Sequence, residues 1–205
     1  ANAQVTITGS NGNANGTYED LRSAFTALNY ENNQTGKNIL ITINAAGYSG
    51  SENSRCRLDQ PHSNWTSLKI IPIGNVTISG ISNSSELIDF EGADNVIIDG
   101  LNSEGNSLTI SNPDYDFSGT STIRFRNDAS NNTITNCNIL GSSGYNGGTI
   151  FFDDGKHNGY GNDNNTISNC NIGPAGSNLP VNAVFSLNHI SYSPDAYNSG
   201  NIITN

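Results

Sequence analysis

The chain has 205 residues, a formal net charge of -10, and 8 lysines and arginines against 18 acidic residues. That balance excludes nucleic acid as the main partner, because polyanions are held by cationic side chains. No apolar run approaches the roughly 20 residues of a bilayer-spanning helix, so membrane insertion is not expected.

In chain order, "ANAQ" comes first. Its Ala-x-Ala before Gln4 has the form of a secretory signal's end and reads equally well as a plain tail. Residues 17–29, "TYEDLRSAFTALN", predict a helix: Thr17 with Asp20 has the form of a capping box, and Leu21, Ala24, Phe25 and Leu28 share one face. We therefore divide the chain into an N-terminal strand and helix, residues 1–36, and a repetitive remainder, residues 37–205.

After Lys37 the hydrophobic period changes to two. "ILITI", "LKIIPI", "NVTISG", "LIDF", "NVIIDG", "SLTI", "TIRF", "NTIT", "TIFF", "NTIS", "AVFSL" and "NIIT" read as short strands, each bounded by Gly, Asn, Asp or Ser. "SNNTITNCNI" from Ser130 returns as "DNNTISNCNI" from Asp163, with eight of ten positions unchanged. A repeat at this interval is the mark of stacked supersecondary units.

Four stretches fall into one register: "LIDFEGADNVIIDG" from Leu87, "TIRFRNDASNNTITN" from Thr122, "TIFFDDGKHNGYGNDNNTISN" from Thr149 and "AVFSLNHISYSPDAYNSGNIITN" from Ala183. Each opens with a strand, turns, and enters a second strand at an Asn. The turn lengthens from coil to coil while the strands keep their length. The fold class read from the repeat is all-β, a parallel β-helix with an N-terminal amphipathic capping helix. Asn132 over Asn165, Ile134 over Ile167 and Asn136 over Asn169 form ladders, the asparagines tolerating left-handed backbone and bonding their copies. An antiparallel sandwich would need tight hairpins and would not explain the near-identity of the two copies. The helix is expected to cover the open edge of the first coil, with Leu21, Phe25 and Leu28 inward. At the other end, "NIITN" stops where "CNI" follows in the earlier copies, so further coils or self-association are expected there.

The helix together with "SLKIIPIGNVTISG", "ELIDFEGADNVIIDGLN" and "TIRFRNDASNNTITNCNI" resembles the right-handed parallel β-helix modules of large secreted and surface proteins of Bacteroidota. The resemblance implies export through a signal peptide and a type IX secretion system, a secreted or cell-surface location, and no particular activity. The resemblance also leads one to expect a C-terminal sorting domain, which residues 1–205 do not include.

Four residues following the first strand of successive coils, Asp128, Asp153, Asp154 and His189, are candidates for acid-base cleavage of a glycosidic bond. They resemble the polygalacturonase-like glycosidases only in outline, since the Asn-Thr-Asp, Gly-His-Gly and Arg-x-Lys elements of that family are missing. A lyase would have to draw on Arg124, Arg126 and Lys156, and Arg124 alternates with Ile123 and Phe125 as a solvated strand residue would.

Calcium is the candidate cofactor, with Asp153, Asp154 and Asp163 in the long loop as hard oxygen ligands and Asp114 and Asp116 in "NPDYDF" as a second group. Six of the eight tyrosines, Tyr48, Tyr115, Tyr145, Tyr160, Tyr192 and Tyr197, fall in loops, as does Trp65. Rings beside acids and amides suit sugars. The reading is a non-catalytic surface or adhesion module that binds a polysaccharide or surface glycan through Asp114, Tyr115, Asp116, Tyr145 and Tyr160. A polysaccharide-cleaving enzyme and a passive spacer are the alternatives. Cys137 and Cys170 hold the same place in the repeat, one strand spacing of ~4.8 Å apart, which permits a disulfide or a stack of two small buried thiols.

Overall fold

A side chain on every second residue of a strand points to the same face, so runs such as "NILITIN" can bury one face and leave the other to solvent. A computed structural model describes residues 4–59, 64–80, 85–115, 120–144, 147–154, 159–187 and 197–205. In chain order the described elements begin with β1 (Val5–Thr8), β2 (Gly16–Tyr18), α1 (Leu21–Asn29), β3 (Asn38–Asn44), β4 (Cys56–Asp59) and β5 (Ser67–Ile73). They continue with β6 (Asn75–Ser79), β7 (Ile88–Glu91), β8 (Val96–Asp99), β9 (Ser107–Asn112), β10 (Ile123–Arg126) and β11 (Thr133–Thr135). The last are β12 (Cys137–Gly141), β13 (Ile150–Phe152), β14 (Thr166–Ser168), β15 (Asn171–Pro174), β16 (Val184–Ser186) and β17 (Ile202–Thr204).

These strands build a parallel β-solenoid with three sheets. The first runs β17-β14-β11-β8-β5-β3-β1-β2, the second β16-β13-β10-β7-β4, and the third β15-β12-β9-β6. Neighbours in the coils pair in parallel, Ile134 opposite Ile167 and Ile98, and Ile123 opposite Ile88 and Ile150. The register read from the four aligned stretches is thus the one observed. Only β1 departs, pairing antiparallel with both β2 and β3, so two strands precede the helix where one was expected.

The interior is a column of aliphatic ladders with Phe90, Phe125 and Phe152 stacked along the second sheet, ring centroids 5.2 and 4.9 Å apart. The asparagines divide the labour expected of them. Asn131, Asn136, Asn164 and Asn169 take left-handed backbone, with φ between 51° and 59°. Asn132 and Asn165 instead make the buried side-chain ladder: the Asn165 Oδ1 accepts from the Asn132 N and Nδ2, both at 3.0 Å, and the Asn201 Oδ1 accepts from the Asn165 N at 2.9 Å and Nδ2 at 3.1 Å. A second column places the Asn162 N and Nδ2 on the Asn198 Oδ1.

The helix starts later than its sequence pattern suggests. Thr17 is committed to β2, opposite Thr6, so the cap passes to Asp20, whose carboxylate accepts from the Ser23 N at 2.7 Å. Leu21, Ala24, Phe25 and Leu28 are buried as expected. A second carboxylate also holds the helix start: buried Glu52 accepts from the Leu21 N at 2.8 Å, the Arg22 N at 3.3 Å and the Tyr48 hydroxyl. At the other end, the Asn29 side-chain amide donates to the Arg57 O at 2.8 Å and accepts from the Asp59 N at 3.1 Å, which pairs it with β4 as a strand would.

Candidate functional site

The second sheet carries the residues that strand alternation assigns to the outer face, in the register row Arg57, Asp89, Arg124, Phe151, Phe185. Such a row should be solvated, yet Asp89 is fully buried and Arg124 is 7% exposed. The expectation of a solvated Arg124 is therefore corrected. It points away from the core, as alternation requires, and is closed off by a layer of carboxylates.

Arg124 grips Asp89 with a two-pronged fork, Nε to Oδ1 at 2.9 Å and Nη2 to Oδ2 at 3.0 Å. Its Nη1 meets the Glu86 Oε1 at 2.6 Å and the Asp153 Oδ2 at 3.3 Å. Arg55 adds a second cation, its Nη1 at 3.2 Å from Asp89 and 3.7 Å from Glu86. Burial pushes the Glu86 carboxyl above the usual range, against the pull of Arg124. For Arg124 burial opposes the charge, but Asp89, Glu86 and Asp153 outweigh it and hold the guanidinium more firmly protonated. Three carboxylates and two guanidiniums thus compensate one another, an arrangement that loses about 3–5 kcal/mol when one partner is removed.

Of the acidic residues read from the sequence, Asp153 and Asp163 have their carboxylates engaged by neighbouring groups. Asp153 belongs to the Arg124 network, and its Oδ1 also accepts from the Asp154 N at 2.8 Å. Asp154 offers its carbonyl to the Asn127 N, beside Asp128, which takes left-handed backbone at φ 70°. Asp163 bonds a turn of the next coil, accepting from the Ser199 N at 2.6 Å and Oγ at 2.9 Å. Among the described residues, no three acidic, histidine or cysteine side chains converge as ligands for a metal ion.

The rings separate into two kinds. Trp65 is a core residue, with its indole N–H on the Asp94 O at 2.8 Å, and Tyr48 is tied to Glu52. Tyr115 and Tyr160 are 47% and 71% exposed, and the Tyr115 ring lies over Gly144, where a Cβ would come within 2.9 Å of it. Asp114 precedes Tyr115, its N–H donating to the Asn112 Oδ1 at 3.2 Å. Asp116, Tyr145, Lys156, His189 and Tyr192 lie outside the described residues.

Sequence reasoning missed Glu86, Asp89 and Arg55. The available signal was the register itself: with "LIDF" aligned on "TIRF", Asp89 falls beside Arg124, an opposite-charge pair on adjacent strands.

Cys137 and Cys170 are both free thiols one above the other at the start of the third sheet. Each Sγ approaches the carbonyl two residues before it, at 3.1 Å in both cases. The neighbouring Cys170 thiol and burial push the Cys137 thiol up, while Cys137 beside it draws Cys170 down to about 7.

Compared with known proteins, the chain matches no family model, no curated protein and no solved structure.

Proposed function

We propose that the chain is a non-catalytic binding module working outside the cell, secreted or at the cell surface as its resemblance to Bacteroidota modules suggests. In this reading the solenoid is right-handed, α1 caps its first coil, and the loops flanking the second sheet hold a polysaccharide or surface glycan. The observation that carries the reading is how the acidic groups are spent. Acid-base cleavage needs one protonated and one ionised carboxyl reaching a substrate. Here Glu86, Asp89 and Asp153 face Arg124, and Asp163 is bonded to Ser199. Tyr115 and Tyr160, by contrast, offer ring faces to solvent on a rigid scaffold, where binding residues collect.

A glycan array with and without calcium, comparing the wild type with a Tyr115→Ala, Tyr160→Ala double variant, tests it. The expected outcome is retention of an extended glycan by the wild type and its loss in the variant. No glycan retained in either condition supports a passive spacer, and a polymer shortened during the assay supports an enzyme. Binding that disappears with calcium would return Asp153, Asp154 and Asp163 to consideration as ligands.

A further inference from the structure

A cleft of about 710 Å³ lies between α1 and β4, lined by Arg22, Arg55, Arg57, Asp59, Tyr30 and neighbouring polar residues. Three of the chain's 8 cationic side chains meet there, although the molecule as a whole carries -10. The three are not equivalent. Arg57 is engaged, Nε and Nη2 on the Asp59 carboxylate at 2.7 and 2.8 Å and Nη1 on Glu91 at 3.1 Å. Arg55 meets Glu86 and Asp89 with its Nη1 at 3.7 and 3.2 Å, and its side chain stays 31% exposed. Arg22 is exposed on the first turn of α1, and its guanidinium meets no acid among the described residues.

Two guanidiniums open to solvent at one cleft are a fork for an oxyanion. Tyr30, at the C-cap of α1, adds an aromatic ring that is 82% exposed on the same cleft. Cation and ring together select a ligand with a negative group on a body that can stack, and the acidity of the rest of the surface repels a nucleic acid before it could present its phosphates. The volume falls within the range of small-ligand sites and accommodates a sugar unit or two.

We infer that this cleft is an anion subsite for an acidic saccharide, with Arg22 and Arg55 holding a carboxylate or sulfate and Tyr30 stacking on the ring that bears it. The inference shares the expectation of a glycan with the proposed function but uses none of the same residues.

The test is calorimetric titration of the full chain with three short oligosaccharides of matched length: one of uronic acids, one sulfated, and one neutral. The acidic ligands are expected to bind and the neutral one not to, with the stronger of the two acidic ligands naming the group. Arg22→Ala should weaken binding by at least about tenfold, the share of a hydrogen bond to a charged group. Arg22→Lys should recover part of that loss, and Tyr30→Ala should weaken all acidic ligands alike. Both residues are exposed, so melting temperatures equal to the wild type will show that the fold is intact. Equal binding of neutral and acidic sugars, no binding of any, or no effect of Arg22→Ala overturns the inference. The Tyr115→Ala, Tyr160→Ala variant separates the two readings. If it alone abolishes binding, the loops hold the glycan and the cleft does not; if it leaves acidic-sugar binding unchanged while Arg22→Ala removes it, the cleft stands and the loop reading falls.

Discussion

Ile167 and Ile203 are register partners in one ladder, within the corresponding stretches "NTIS" and "NIIT", yet Ile167 is 1% exposed and Ile203 50%. The difference is the number of rungs beside each. β14 lies between β11 and β17, whereas β17 is at the edge of its sheet. β3 makes the same point from the other side: Ile39, Ile41 and Ile43 are buried because β1 and β5 flank them. In this fold a rung's sequence specifies its shape and register, while its burial is supplied by its neighbours.

The largest test of that contrast is truncation. Ile167→Ala should cost about 2–5 kcal/mol of unfolding free energy, and Ile203→Ala less than about 1 kcal/mol. Urea denaturation checks this, and equal losses would mean that neighbouring rungs do not set burial. The amide column gives a second comparison. Asn165→Ala strands the buried Asn132 N–H and Ala129 carbonyl, at about 1–3 kcal/mol for each group left unpaired. Asn201→Ala, farther along the same column, should cost less by the same measurement.

A third prediction compares pH responses within the coils. Burial raises the Glu52 carboxyl despite the bonds from the Tyr48 hydroxyl and Leu21 amide that favour its charge, and burial likewise raises Glu86. A carboxyl raised in the fold contributes stability that is complete below its unfolded value, about 4.3, and lost as pH rises through the folded value. Asp99 has the opposite sign: burial raises it, but the Asn136 amide, the Leu101 N–H and Lys69 outweigh burial and leave it lowered. Its contribution is present above about 3.9 and disappears only in stronger acid. The melting temperature should therefore rise as pH falls from 8 toward 5, and Glu52→Gln should flatten that rise. An unchanged slope in the variant would remove Glu52 as a source. The smallest effect is chemical. Half-buried Cys170, drawn down by the Cys137 thiol beside it, should be alkylated before buried Cys56 and Cys137, as peptide mass mapping after brief iodoacetamide treatment would read.

The coils were legible because the repeat states its own register: aligning the two copies of "NNTI" places Ile134 on Ile167 without further information. The helix face was legible for the same reason, since Leu21, Ala24, Phe25 and Leu28 recur at helical spacing. Its start was not, because Thr17 and Asp20 are both good caps and only the pairing of Thr17 with β1 removes one of them. The Arg124 network was half legible. Alternation gives the direction of the side chain correctly, but whether an outward residue meets water depends on groups from other coils, Glu86 and Asp153, and on Arg55 from a third. Trp65 was misleading because a loop position in sequence became a core position in space.

The asparagine columns run in one direction. Asn132 donates to Asn165, Asn165 donates to Asn201, and in the second column Asn162 donates to Asn198. Amides aligned head to tail polarise one another, strengthening each bond by roughly 10–30% in condensed-phase estimates. On that basis an amide with a donor on one side and an acceptor on the other, as Asn165 has, is held more firmly than one at the end of its column. Turns of unequal length can then join rungs of equal length, because the columns that bind one coil to the next run along the axis at both the rung and the end of the turn.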